Sequence, residues 1–155
     1  MLYERGELTK DIKDFFISYN KTDHKIAEWI AWILEEAGYS VVIQAWDFTV
    51  GINFIVMMDE AAKLANRTIT VLSPDYLKSD YTPAEWAAAF NRDPRGVHGT
   101  LLPVLVRECN LEGLLAQIIY IKLTGLDEQQ AKEVLLNGVS PTRRKPARKP
   151  KFPLG

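Results

Sequence analysis

The chain has 155 residues, 47% of them hydrophobic and 25% charged, which suits one compact domain with a proper core. The formal net charge of −1 conceals a split: residues 1–140 carry 13 bases against 20 acids, a net of −7, whereas residues 141–155 carry six bases and no acid. An acidic body excludes a nucleic-acid binder, a lone cysteine, Cys109, excludes an intrachain disulfide, and no apolar run approaches the roughly 18 residues of a membrane span.

Residues 1–12 are polar and read as a loose lead-in. Asp14 to Tyr19 is a continuous aromatic and β-branched run, the pattern of a buried parallel strand. Asn20-Lys21-Thr22-Asp23 turns the chain, with Thr22 as a predicted N-cap. Ile26, Trp29, Ile30, Ile33, Leu34 and Ala37 then recur at helical spacing up to Gly38. Val41 to Ile43 is a second strand, followed by a loop from Gln44 to Ile52. Asn53 to Asn66 reads as a helix, and Thr68 to Leu72 as a third strand.

The stretch S-P-D-Y-L-K-S-D-Y-T-P-A-E-W-A-A-A-F, Ser73 to Phe90, leaves that third strand and enters a helix at Thr82. Thr82, Pro83 and Glu85 fit a capping box, with hydroxyl at N-cap, proline at N1 and carboxylate at N3. Thr100 to Val106 is a fourth strand, with Pro103 marking an end or a bulge. Leu111 to Gln117 is a short helix and Ile118 to Leu123 a fifth strand. Asp127 caps a last helix through Leu136, closed by Asn137-Gly138.

Strands alternating with helices at this spacing predict an α/β fold. The expected architecture is flavodoxin-like, a five-stranded parallel sheet in the order 2-1-3-4-5 with helices on both faces. The domain is expected over 13–138. Residues 139–155 read as a basic, proline-rich linker to something beyond.

Several users of this sheet are excluded. The first strand–helix turn, S-Y-N-K-T-D, has no glycine, so neither a dinucleotide fingerprint nor a P-loop is present. Asp14 stands at the wrong end of its strand for a phosphoacceptor. His24 and His98 are isolated, so no metal site is expected. Cys109 has no evident histidine partner and reads as a structural thiol.

Three loops follow the first three strands. They carry Phe16-Ile17-Ser18-Tyr19-Asn20; then Trp46-Asp47-Phe48-Thr49-Val50-Gly51; then Ser73-Pro74-Asp75-Tyr76 with Ser79-Asp80-Tyr81 and Glu85-Trp86. In this order and spacing they resemble the TIR (Toll/interleukin receptor) domain in its bacterial form, over roughly Lys13 to Asn137. In the family F-I-S-Y closes the first strand, the "BB loop" with Asp and Gly follows the second, and L-S-x-x-Y-x-x-S follows the third. This chain has Val50-Gly51 where that loop often has Pro-Gly, and Tyr81 where the substrate aromatic is often Trp.

Many TIR domains hydrolyse NAD, and others are non-catalytic adaptors. The resemblance places the catalytic glutamate on Glu85 and substrate-side residues on Ser18, Tyr19, Asn20, Lys21, Trp46, Asp47 and Tyr81. It places self-association on Phe48, Thr49, Val50 and Gly51. It implies NAD as substrate with no cofactor, other TIR domains as partners through homo-oligomerisation, and a cytoplasmic setting. It also implies further signalling domains of a STAND or NB-ARC type beyond the linker, and a role in bacterial immunity or stress. Each residue has a plainer reading beside this one. Glu85 caps a helix, Tyr19 packs the core, and Asn20, Lys21 and Asp47 are solvated turn residues. Trp46 is costly to expose in a loop and should cover substrate or a neighbouring molecule.

Overall fold

A computed structural model of the chain describes residues 3–4, 7–8, 11–78, 100–111 and 117–155. Within the lead-in, β1 (Tyr3–Glu4) and β2 (Glu7–Leu8) pair antiparallel. The main sheet contains β3 (Lys13–Ser18), β4 (Val41–Ile43), β5 (Ala65–Leu72), β6 (Leu101–Leu105) and β7 (Ile121–Lys122). All four pairings are parallel, and the order is β4-β3-β5-β6-β7. Counted along the sheet this is 2-1-3-4-5, the flavodoxin-like arrangement that the sequence predicts.

The alternation of side chains along β3 explains the two covered faces. Phe15 and Ile17 join Val41, Ile43, Ile69 and Val71 under α1 (His24–Glu36) and α5 (Glu128–Val139). Phe16 points the other way and packs with Val42 beneath Met57, Met58 and Ala61 of α3 (Phe54–Leu64). On that second face Leu72, Leu101 and Leu105 surround Tyr76 of the short helix α4 (Pro74–Lys78). Strands buried on both sides need continuous apolar runs, and β3, β4 and β6 have them.

Pro103 sits inside β6, paired with Thr70. The Leu105 carbonyl accepts from Leu123, so alternate residues Pro103 and Leu105 turn their backbone polar groups toward β7. Pairing with β7 begins only at Val104. The missing N–H of Pro103 therefore faces the one side of β6 where no partner strand has started.

Several boundaries differ from the sequence reading, and the N-cap of α1 is Asp23 and not Thr22. The loop after β4 opens with a single helical turn, α2 (Gln44–Asp47). Helix α3 stops at Leu64, and Ala65 and Asn66 already belong to β5. Ala65 suits either element, being buried and in register with Lys13. The fifth strand is confined to two residues. Helix α5 runs through Asn137 and Gly138 to Val139 instead of stopping at them. Gly138 is there for clearance: a Cβ would lie 2.4 Å from the Ile121 side chain, so its absence lets α5 press against β7. The expected helix at Leu111–Gln117 falls largely outside the described residues, as does the one entered at Thr82.

Candidate functional site

The second and third sheet strands, β4 and β5, flank the first, β3, so the chain leaves β3 for β4 on one side and crosses back to β5 on the other. The carboxyl ends of β3 and β5 thus border the switch-point crevice where open α/β sheets bind ligands. Polar side chains converge there from three strands. Asn20, after β3, caps the 3₁₀ turn Lys21–Asp23 by accepting from the Thr22 amide at 3.0 Å. Its Nδ2 donates across the crevice to the Asp75 carbonyl at 3.4 Å. Thr22 Oγ1 lies 2.8 Å from Asn20 Oδ1 and 3.0 Å from Asp75 Oδ2, with one proton to give to either.

Asp23 holds the N-cap position of α1 but makes no capping bond, because its carboxylate is engaged elsewhere. Only 4% exposed, it accepts from the Ser73 hydroxyl and from Nε of Arg107, the latter at 2.9 Å. Ser73 in turn caps α4, its Oγ accepting from the Tyr76 amide at 3.1 Å. Arg107, just past β6, extends Nη2 to Asp75 Oδ2 at 2.8 Å. These contacts, first the guanidinium and then the Thr22 hydroxyl, hold the Asp75 carboxyl below its usual range. The Asp75 contact likewise raises the Arg107 pKa. One arginine therefore ties together the exits of the first, third and fourth strands.

Ser18 lies beneath this cluster, wholly buried, its Oγ 3.0 Å from the Tyr76 hydroxyl. Tyr19 turns to the other face, half-buried against the core under α1. Burial raises its pKa, opposed by a hydrogen bond with the Ala45 backbone. Lys21 is exposed, and its carbonyl meets the His24 ring at 3.1 Å.

The exit from β4 forms a second group. Asp47 Oδ2 accepts from the Ile43 amide at 2.8 Å, closing α2 on itself. Burial is the main cause that pushes the Asp47 pKa up to about 6. Trp46 beside it is 42% exposed. Phe48 packs on the α3-face core and meets Phe54 edge-on at 6.0 Å. Thr49 then starts a tight turn, its carbonyl accepting from Ile52 at 3.2 Å. Gly51, at φ +90°, supplies the third-position geometry of a type II turn. Val50 occupies the second position, where proline would fit, and is 99% exposed at the tip.

Tyr81 and Glu85 lie outside the described residues. Of the residues singled out from sequence, the structure brings Asn20 to the crevice, Ser18 beneath it, and Tyr19 next to the α2 turn. Reasoning from sequence named Thr22 and Asp23 in the first turn and Ser73 and Asp75 in the third loop but gave none of them a place in the site, and it missed Arg107 altogether. The signal was available: each stands within a few residues of a predicted strand's carboxyl end. Among the described residues no three of His, Cys, Asp or Glu converge as metal ligands. No helix among them is long and apolar enough to cross a membrane.

A family model described as TIR domain matches residues 15–136. The chain belongs to the TIR-domain family. The TIR domain of the Toll-related receptor TRR-2 from the lower metazoan Hydra magnipapillata is 23% identical, with a TM-score of 0.66 across 82% of this chain and 94% of that one. A metazoan TIR-STING receptor from C. gigas is 20% identical, with a TM-score of 0.65 over 86% of this chain and 42% of that one. A prokaryotic SEFIR domain is 18% identical, with a TM-score of 0.56 over 88% of this chain and 99% of that one. At these identities the likeness is one of fold. No curated protein is a significant match.

Proposed function

We propose that this TIR domain is an NAD glycohydrolase, cleaving NAD to nicotinamide and ADP-ribose or a cyclic variant when the domain self-associates. The observation that carries the reading is the crevice between β3 and β5. Asn20, Thr22 and Asp75 line it, and the chain that forms its α4 wall leads on to Tyr81 and Glu85. The bond broken joins nicotinamide to ribose, and its cleavage passes through an oxocarbenium-like state. Nicotinamide leaves as a neutral group from a cationic nitrogen, so no general acid is required. Glu85 holds the ribose hydroxyls and stabilises the developing positive charge. Tyr81 sets a ring against the base or the ribose. Asn20 and Lys21 face the polar part of the nucleotide, with Ser18 and Tyr19 supporting them and Trp46 and Asp47 bordering the site.

Self-association runs through Phe48, Thr49, Val50 and Gly51, and the site is completed by a neighbouring copy. In this reading the domain acts in the cytoplasm in bacterial immune or stress signalling, under further domains attached through residues 139–155. A second reading, a non-catalytic TIR–TIR adaptor, is favoured by the apolar surface around that turn. Val50, Ile52, Ile55 and Val56 are all substantially exposed, more than scattered surface residues would require.

NAD turnover followed by HPLC, at high protein concentration with a crowding agent, separates the two. Wild type should release nicotinamide and Glu85→Gln should not, while both keep the same circular dichroism. If light scattering shows an assembled wild-type sample that leaves NAD intact, the enzyme reading fails and the adaptor stands.

A further inference from the structure

Residues 141–155 carry Arg143, Arg144, Lys145, Arg148, Lys149 and Lys151 with no acid, followed by Phe152 and Leu154. Pro141, Pro146, Pro150 and Pro153 punctuate the run and favour an extended chain over a helix. The whole segment is exposed, Phe152 and Leu154 by 72% and 85%. Among the described residues none of its six bases is paired with an acid, although residues 1–140 carry a net −7. Six unneutralised cations and two bulky apolar side chains therefore share one short segment that its own domain leaves uncovered.

The place where this segment leaves the fold decides which way it points. Val139, the last residue of α5, accepts at its carbonyl from Nη1 of Arg67 at 3.2 Å. Arg67 lies opposite Phe15, near the amino ends of β5 and β3. The segment thus departs from the pole of the sheet opposite the crevice and the Val50-Gly51 turn, both of which follow carboxyl ends of strands. At about 3.1 Å per residue, an extended Pro141 to Phe152 reaches roughly 34 Å. The Debye length at physiological ionic strength is about 8 Å, so the acidic body does not cancel the field of the segment at its apolar end.

A lipid surface meets both halves of this composition. Anionic headgroups strengthen binding by about fivefold for each lysine or arginine brought near them, and exposed apolar side chains enter the boundary between headgroup and acyl chain. A nucleic acid offers phosphates to the bases but no apolar layer to Leu154. We propose that residues 141–155 bind an anionic lipid surface, with the six bases among the headgroups and Phe152 and Leu154 in the acyl boundary. The domain then stands on the membrane with its crevice and its Val50-Gly51 turn facing away from the lipid. This inference is independent of the enzymatic reading.

Co-sedimentation of the intact 155-residue chain with vesicles tests it. The chain should pellet with vesicles of equal parts phosphatidylcholine and phosphatidylserine and stay in the supernatant with phosphatidylcholine alone. Lys145→Gln, Arg148→Gln and Lys149→Gln together should weaken partitioning by roughly a hundredfold. Salt near 1 M, where the Debye length is about 3 Å, should release the wild type. Phe152→Ser with Leu154→Ser should weaken partitioning by about tenfold. All five positions are exposed, so circular dichroism should be unchanged throughout. A chain that ignores the anionic vesicles, or that pellets equally with phosphatidylcholine alone, overturns the proposal. So does partitioning that is unchanged without Phe152 and Leu154, or binding to a DNA duplex as tight as to vesicles at equal phosphate, because the segment would then be a general polyanion binder.

Discussion

Asp23 and Arg107 stand 84 residues apart in sequence and are joined at 2.9 Å, with the carboxylate almost wholly buried and the guanidinium half in solvent. The asymmetry decides which partner matters to stability. Removing Arg107 leaves a buried carboxylate supported by the Ser73 hydroxyl and desolvated without its counter-ion, whereas removing the exposed Asp75 leaves Arg107 still paired with Asp23. Arg107→Met is expected to lower the urea midpoint clearly, because it strands the buried Asp23 carboxylate without its counter-ion. Asp75→Asn should lower the midpoint much less. Combining Arg107→Met with Asp23→Asn should recover part of the loss. A double variant less stable than the sum of the singles would contradict this account.

How legible was this in the sequence? The strand–helix alternation, the two-faced core and the capping of α5 by Asp127 follow from periodicity and turn chemistry, whereas the sheet order follows from the flavodoxin-like arrangement expected of five such strands. The Asp23–Arg107–Asp75 tie does not, because nothing local marks a carboxylate that forgoes its cap for a partner two strands across the sheet. Asp127, with the same residue type at the same kind of position, keeps its capping box. Only the assembled sheet distinguishes the two. Gly138 was misread for a related reason: a glycine after apolar helical residues usually signals a stop, and close approach to another strand is invisible without that strand.

Gly138→Ala gives a direct measure of that approach. Alanine gains up to about 1 kcal/mol of intrinsic helix propensity over glycine. Its Cβ, however, would sit 2.4 and 2.5 Å from two carbons of Ile121, and overpacking of this kind costs about 1–3 kcal/mol. Net destabilisation of about 1 kcal/mol is expected in thermal or chemical unfolding. Adding Ile121→Ala, which removes both carbons, should relieve the clash, so that the double variant is less destabilised than the sum of the two singles. Stabilisation by Gly138→Ala alone would mean that α5 and β7 are not in contact as described.

The turn at Val50-Gly51 predicts two opposite outcomes at adjacent positions. Val50 occupies the second place of a type II turn, where the backbone suits proline. Val50→Pro should stabilise the protein by about 0.4–1 kcal/mol, by restricting the unfolded chain. Gly51→Ala should destabilise it by about 1 kcal/mol, because φ +90° is unfavourable for an L side chain. Both values are read from thermal unfolding at low protein concentration, where self-association does not contribute. If Val50→Pro destabilises instead, the turn has a different second-position geometry.

Asp47 gives the pH dependence. Its pKa is raised from 3.8 to about 6, chiefly by burial, so the folded protein binds a proton here that the unfolded chain has already released. Between pH 4 and 6 the folded state therefore holds more protons at this site, and stability falls as pH rises through that window. Above about pH 6 the ionised carboxylate is a standing cost to the fold, only partly offset by the Ile43 amide. Asp47→Asn keeps an acceptor for that amide and removes the charge. At pH 7.5 it should be more stable than wild type by about 1 kcal/mol, discounted from the full shift because the side chain is only half-buried. At pH 4 the two should be indistinguishable in urea midpoint, since Asp47 is then protonated in the folded wild type as well. A gain of equal size at both pH values would place the benefit in packing and remove Asp47 as the titrating group in this loop.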